Sequence, residues 1–261
     1  MKIKKYQVDA FADKVFEGNP AAVCPLNQWI SDEIIQHIAL ENNLSEIAFF
    51  VNKGDYIEIR WFTPEAEVEL CGHATLATAH VLFEHLDIKN REIIFDCERG
   101  ELTVKKSGNL LEMNFPSTIG KKVEAPTNLL DALALNTRPT DVFKADDYML
   151  VVDNQERVEK LKPDFSLLKK IDTRGIIVTA LGYEADFVSR FFAPAVGIDE
   201  DPVTGSAHTM MAPYWSKKLK KRVLSARQLS PRGGSIQCTY NDDRTLLAGN
   251  AVTYSVGEIH I

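Results

Sequence analysis

The sequence predicts an α+β protein of two pseudo-symmetric lobes, each a mixed β-sheet or barrel wrapped around one central α-helix. Three observations carry this. The first is a pattern that occurs twice. Arg60-Trp-Phe-Thr-Pro64 stands upstream of Gly72, and Arg190-Phe-Phe-Ala-Pro194 stands upstream of Gly205. The arginines lie 130 residues apart and the glycines 133, so two landmarks share nearly the same offset, as an internal duplication would give. The second is that each glycine opens a helix-favouring run, Gly72 to about His85 and Gly205 to about Lys221. The third is that most of the remaining chain breaks into short strand-like runs between turn residues.

Taken in order, Lys2 to Phe11 alternates as a strand does, Gly18-Asn19-Pro20 is a turn, and Ala21 to Cys24 resumes a strand. Ser31 offers a helix cap before Asp32 to Leu40, where acidic residues fill the first turn and apolar ones recur at helical spacing. Asn42-Asn43 ends that helix. Ile47 to Val51 is a nearly continuous apolar run suited to a buried strand, and Tyr56 to Phe62 alternates as another. Glu92 to Asp96, Glu101 to Lys105 and Leu110 to Phe115 form a meander with turns at Gly100 and Ser107-Gly108-Asn109. Pro116 to Pro126 lacks periodicity and reads as a linker. Beyond it come a helix near Asn128 to Leu135, a strand at Asp147 to Val152, and short helices at Asn154 to Leu161 and Asp164 to Lys170. Strands follow at Gly175 to Ala180 and Asp186 to Phe192. After the Gly205 helix, strands at Ser225 to Ser230, Ser235 to Tyr240, Thr245 to Asn250 and Val252 to Ile261 close the chain. The lobes are thus expected at 1–118, to which the C-terminal strand 250–261 can be added, and at 119–249.

Composition bounds the function. Hydrophobic residues make up 45% and charged residues 26% of 261, ordinary for a soluble globular protein. A net charge of −7 argues against a nucleic-acid-binding surface, which needs a basic patch. No apolar run approaches the ~18 residues of a membrane span. The N-terminus alternates like a strand rather than offering a signal-peptide core, so a cytoplasmic location is expected. Cys24, Cys71, Cys97 and Cys238 share no short spacing, and His73 and His80 lack a nearby completing ligand in sequence; no metal site is expected.

The two glycine turns are the candidate binding elements. N–H groups at a helix start are free to bond an anion, and the helix dipole favours one there. Two such turns facing each other would hold a small anionic molecule between the lobes. Glu46, between a helix end and an apolar strand, is placed to be partly desolvated, which raises a carboxyl's proton affinity towards that of a general acid/base. His73 at a helix start is disfavoured as a cation. Each candidate also has a plain structural reading. Glu46 can be a solvated strand start, His73 a helix-start residue bonded to backbone, and Ser206 a helix cap. Asp201, in Asp199-Glu-Asp201, can simply complement the helix dipole. His208 reads as a residue packed along its helix. Cys71 reads as structural, because its counterpart in the second half is Thr204 and not a second cysteine.

Phe16-Glu-Gly-Asn-Pro-Ala-Ala-Val23, Asn43-Leu-Ser-Glu46, Phe62-Thr-Pro64 with Cys71-Gly-His73, Glu200-Asp-Pro-Val-Thr-Gly-Ser-Ala207 and Gln228-Leu-Ser-Pro-Arg-Gly-Gly234 occur in this order across nearly the whole chain. Together they resemble the PhzF-like (phenazine biosynthesis) isomerase family of the diaminopimelate-epimerase-like superfamily. The resemblance implies that superfamily's fold, a homodimer, and a cofactor-independent isomerase acting on a small carboxylated metabolite. It makes Glu46 the proton-transferring residue and places Gly72, His73, Asp201, Gly205 and Ser206 around the substrate. True epimerases of this fold use two cysteines, one per lobe. Here Cys71 stands near the first position and Pro202-Val203 near the second, which fits a one-base isomerase. An amino-acid racemase or epimerase using Cys71, and a non-catalytic binding protein, are the alternatives.

Overall fold

The glycine-led runs become the buried helices around which the chain is built. A computed structural model describes all residues from Met1 to Ile261. In chain order the first elements are β1 (Lys2–Ala10), β2 (Asn19–Leu26), α1 (Asp32–Asn42), β3 (Glu46–Asn52), β4 (Ile57–Phe62), β5 (Glu67–Val68), α2 (Gly72–Glu84), β6 (Glu92–Cys97), β7 (Gly100–Ser107) and β8 (Leu110–Pro116). Then follow β9 (Lys121–Lys122), α3 (Thr127–Ala132), β10 (Asp141–Lys144), β11 (Tyr148–Val151), α4 (Gln155–Glu159), α5 (Phe165–Leu168), β12 (Ile176–Leu181) and β13 (Phe187–Phe192). A short 3₁₀ turn at Pro194–Val196 leads to α6 (Gly205–Leu219), β14 (Val223–Gln228), β15 (Gly234–Asn241), β16 (Arg244–Gly249) and a C-terminal strand, Ala251–His260.

Two compact units result. The first holds Met1–Asn114 with Ala248–Ile261, and the second holds Phe115–Leu247. The C-terminal strand joins the first because it pairs antiparallel along all of β1, from Lys2 opposite His260 to Ala10 opposite Ala251. No helix is long and apolar enough to cross a membrane.

The duplication is visible in the strand pairings. In the first unit β1/β2 is antiparallel, β2/β3 parallel, β3/β4 antiparallel, β4/β6 parallel and β6/β7 antiparallel. In the second, β10/β11, β11/β12, β12/β13, β13/β14 and β14/β15 repeat that sequence of senses. A parallel pair needs a crossover connection, usually helical. Here α1 and α2 supply the two crossovers of the first unit, and α4 with α5, then α6, supply those of the second. The arginine landmarks repeat in detail. Arg60 grips Glu67 through Nε and Nη2 at 2.7 and 2.6 Å and lies 5.1 Å from the centre of the Phe62 ring. Arg190 grips Glu200 in the same way at 2.7 and 2.8 Å, 5.0 Å from the Phe192 ring.

A helix that is apolar all round belongs in a core. In α2 every residue from His73 to Ala79 is buried, with Val81 and Leu82, and the helix packs on β1, β2, β3 and the C-terminal strand. In α6 the buried run is Ala207 to Pro213 with Trp215 and Ser216. Pro213 cannot donate to the carbonyl four residues back. That carbonyl, of Thr209, accepts from the Thr118 amide at 3.1 Å instead.

Some local expectations change. Ser31 holds the cap position of α1, but its side chain makes no capping bond, whereas Asn154 and Asp164 do cap α4 and α5. The expected linker at 116–126 contains β9, which pairs with Phe143 and Lys144 of β10. β5, β9 and β10 have two to four residues each, too few to show a period of two.

Candidate active site

Glu46 begins β3, opposite Ala21 of β2, and its side chain keeps only 15% of its exposure. Burial pushes its carboxyl up from 4.5 to about 7, against the opposing pull of a hydrogen bond from Ser45. α2 packs against β3, which sets the second residue of that helix beside the strand's first. His73 Nε2 therefore lies 3.3 Å from Glu46 Oε2, in a pocket where the imidazole is itself only 9% exposed. On the other side of the ring, Cys71 Sγ lies 3.6 Å from His73 Nδ1. The imidazole thus stands between a thiol and a carboxyl. One donor atom from each of Glu46, Cys71 and His73 lies within 4.8 Å of the other two. The spacing argument against a metal-ligand set cannot see this cluster, because 25 residues separate Glu46 from Cys71.

In the second unit Asp201, Gly205 and Ser206 gather at the start of α6. Thr204 holds the cap position, with extended backbone like that of Cys71 ahead of α2. Its hydroxyl donates to Asp201 Oδ2 at 2.5 Å. Gln228, fully buried, ties the turn together. Its Oε1 accepts from the Thr204 amide at 3.0 Å, and its Nε2 donates to the Asp201 carbonyl at 2.7 Å. Ser206 is exposed, and Arg174 Nη2 donates to its Oγ at 3.1 Å. Arg174 is held in turn by the buried Asp147 carboxylate, its Nε donating at 2.9 Å.

Two corrections follow. Gly72 and Gly205 do not occupy left-handed backbone; each is simply the first residue of its helix. A Cβ at Gly205 would meet nothing nearer than Leu247 Cδ1 at 3.7 Å, so neither the backbone nor the packing there demands a glycine. Ser206 does not cap its helix, since it lies inside α6 behind Thr204. His208 is packed in the core as expected. It is fully buried, Nδ1 meets the Thr204 carbonyl at 2.7 Å, and burial pulls its value down to about 4. Gln228, Arg174 and Asp147 were not foreseen as site residues. Gln228 had a signal in the Gln228–Gly234 motif, whereas the Asp147–Arg174 pair spans 27 residues and leaves none. Cavities of about 300, 740 and 670 Å³ lie elsewhere in the two units, and none is lined by Glu46, His73, Asp201 or Ser206.

Residues 8–257 match the protein family described as phenazine biosynthesis-like protein. The chain belongs to the phenazine biosynthesis-like family. An uncharacterised isomerase of Pseudomonas aeruginosa is 49% identical over 262 residues, covering 100% of both chains. A mouse phenazine biosynthesis-like domain-containing protein is 37% identical, covering 99% of both. A crystal structure of a PhzF-family protein from Enterococcus faecalis superposes with a TM-score of 0.97 at 44% identity over 100% of both chains. A probable proline racemase of Agrobacterium radiobacter shares the fold alone, at 9% identity, with a TM-score of 0.65 over 99% of this chain and 93% of that one. This phenazine biosynthesis-like protein has the α+β fold of the epimerase-like class, and its enzyme class by family is isomerase.

Proposed function

We propose that this protein isomerises a small carboxylated metabolite by moving one proton, with Glu46 as the only acid/base and no cofactor. The observation that carries the reading is the Glu46–His73 pair. A carboxyl with a value near 7 is present in both protonation states at neutral pH, so it can accept a proton and return it. Glu46 takes hydrogen from a carbon next to an activating group. The electron pair of that C–H bond shifts along the conjugated system, and Glu46, whose carboxyl hydrogen exchanges with solvent while it is held, delivers a proton to another carbon. His73, whose Nε2 lies 3.3 Å from Glu46 Oε2, stands beside the carboxyl as it gains and loses the proton. Gly72, His73, Asp201, Gly205 and Ser206 bind the substrate in this reading, with the N–H groups at the helix starts taking its carboxylate. Gly205 supports this, because a glycine that the backbone does not require leaves its N–H open to close approach.

The test is hydrogen exchange from solvent. The protein is incubated in D₂O with a panel of small unsaturated and amino carboxylates, and products are read by mass spectrometry. The expected outcome is deuterium incorporation by the wild type and none by Glu46→Gln. Wild-type incorporation by that variant would remove Glu46 from the role. A second reading, racemisation by Cys71, draws on the 3.6 Å contact between its thiol and His73. Cys71→Ala separates the two, since it abolishes racemisation and leaves Glu46-dependent exchange.

A further inference from the structure

The cluster around His73 holds a second possibility that proton transfer does not use. It offers one thiol, one imidazole and one carboxyl, all largely out of water, with one donor atom of each within 4.8 Å of the others. That is a mixed sulfur, nitrogen and oxygen set. Zinc accepts all three ligand types, whereas magnesium and calcium take oxygen. A tetrahedral zinc with bonds of about 2.0–2.3 Å holds its ligand atoms roughly 3.3–3.8 Å apart. The separation of 3.3 Å between Glu46 Oε2 and His73 Nε2 lies there, while Cys71 Sγ is 3.6 Å from the other ring nitrogen, Nδ1, so one zinc does not meet both contacts as they stand. The two contacts use opposite ring nitrogens, so binding through one of them requires the Cys71 side chain to turn about its single Cα–Cβ bond. None of the four cysteines is tied into a disulfide.

We propose that Glu46, Cys71 and His73 form a three-ligand zinc site. Binding converts the Cys71 thiol to a thiolate and releases that proton, together with any carried by Glu46, to the buffer. The fourth position remains for water or for a carboxylate. While zinc is bound, its charge draws on the Glu46 carboxylate and makes it a far poorer proton acceptor, so the site is inhibitory. The inhibition rests on the isomerase reading above; the binding does not.

Cobalt(II) is the probe, because it takes zinc's place and reports a thiolate ligand by a charge-transfer band in the near ultraviolet. Chelator-stripped full-length protein is titrated with cobalt, then with zinc, with magnesium as a comparison. The expected result is one cobalt per chain, a charge-transfer band, its loss on adding one equivalent of zinc, and no response to magnesium. Cys71→Ala and Cys71→Ser should both lose the band and bind zinc at least about tenfold more weakly, while Cys97→Ala should keep it. Absence of the band in the wild type, or its persistence in both Cys71 variants, overturns the site. In the deuterium assay, equimolar zinc should stop exchange and a chelator should restore it. Zinc binding through Cys71 with exchange unaffected would leave the site standing and overturn Glu46 as the base.

Discussion

Glu46 makes a prediction about stability that needs no substrate. Its carboxyl is held near 7 in the folded protein against 4.5 for an unperturbed glutamate, chiefly by burial. The folded chain therefore binds more protons than the unfolded chain between those values, so stability falls as pH rises through that window. Below about 4.5 both states carry the proton and the group contributes nothing. Above about 7 the folded protein bears the full cost of a desolvated carboxylate. Each pH decade is worth about 1.4 kcal/mol, so the gap amounts to roughly 3 kcal/mol. Glu46→Gln replaces the carboxyl by a neutral group of the same shape and removes the cost. The assay is urea unfolding of both proteins from pH 5 to pH 8.5. The variant's advantage should be about 1 kcal/mol or less at pH 5 and grow to roughly 3 kcal/mol at pH 8.5, the change centred between 5 and 7. A difference that stays flat across this range would show an ordinary solvated carboxyl at position 46, and the argument for its chemistry would fall with it.

His208 predicts the opposite slope. Its value falls from 6.5 to about 4, so its contribution is complete above 6.5 and is lost as pH drops through that window. His208→Leu should flatten that acid limb, by on the order of 2–3 kcal/mol, in the same unfolding series. The duplicated arginines should differ in weight. Arg190 and Glu200 are 11% and 12% exposed, and the guanidinium also donates to the Leu161 carbonyl, so Arg190→Leu strands a buried carboxylate and should cost about 3–5 kcal/mol. Arg60 and Glu67 are 26% and 36% exposed, so Arg60→Leu should cost about 1 kcal/mol or less. Equal losses in chemical denaturation would contradict the burial argument.

What could be read from the sequence was what repeats or has a period. The two arginine–phenylalanine–proline landmarks share nearly the same offset as the glycines because they sit on corresponding strands, β4 and β13, each leading to a buried helix. α2 was legible because a helix enclosed over most of its surface is mostly apolar. β5, β9 and β10 were not, since such short strands are defined by partners rather than by their own residues. The same divide holds at the site. Glu46 could be suspected from its place at the edge of an apolar strand. Its contact with His73 and the thiol beyond could not be read from residue patterns, because β3 and α2 are far apart in sequence and meet only in the folded chain; only the family resemblance pointed to His73. Asp147 holding Arg174 beside Ser206 is likewise a product of the fold.

The duplication also bears on the proposed one-base mechanism. Cys71 and Thr204 stand at equivalent cap positions, one residue before the glycine that starts each helix. A two-base epimerase needs a proton acceptor on each side of the carbon. An alcohol is far too weakly acidic to serve as one near neutrality. The Thr204 hydroxyl is moreover already spent, donating to Asp201 and accepting from Gln228. The second unit brings Asp201 and no thiol to its helix start, and that carboxylate is already the acceptor of the Thr204 hydroxyl, while the first brings a thiol, an imidazole and a carboxyl. With proton transfer confined to one unit, hydrogen removed from a substrate face has to return to that same face. Under the proposed mechanism the product is then a positional isomer, with the hydrogen moved along the conjugated system, and not the mirror image of the substrate.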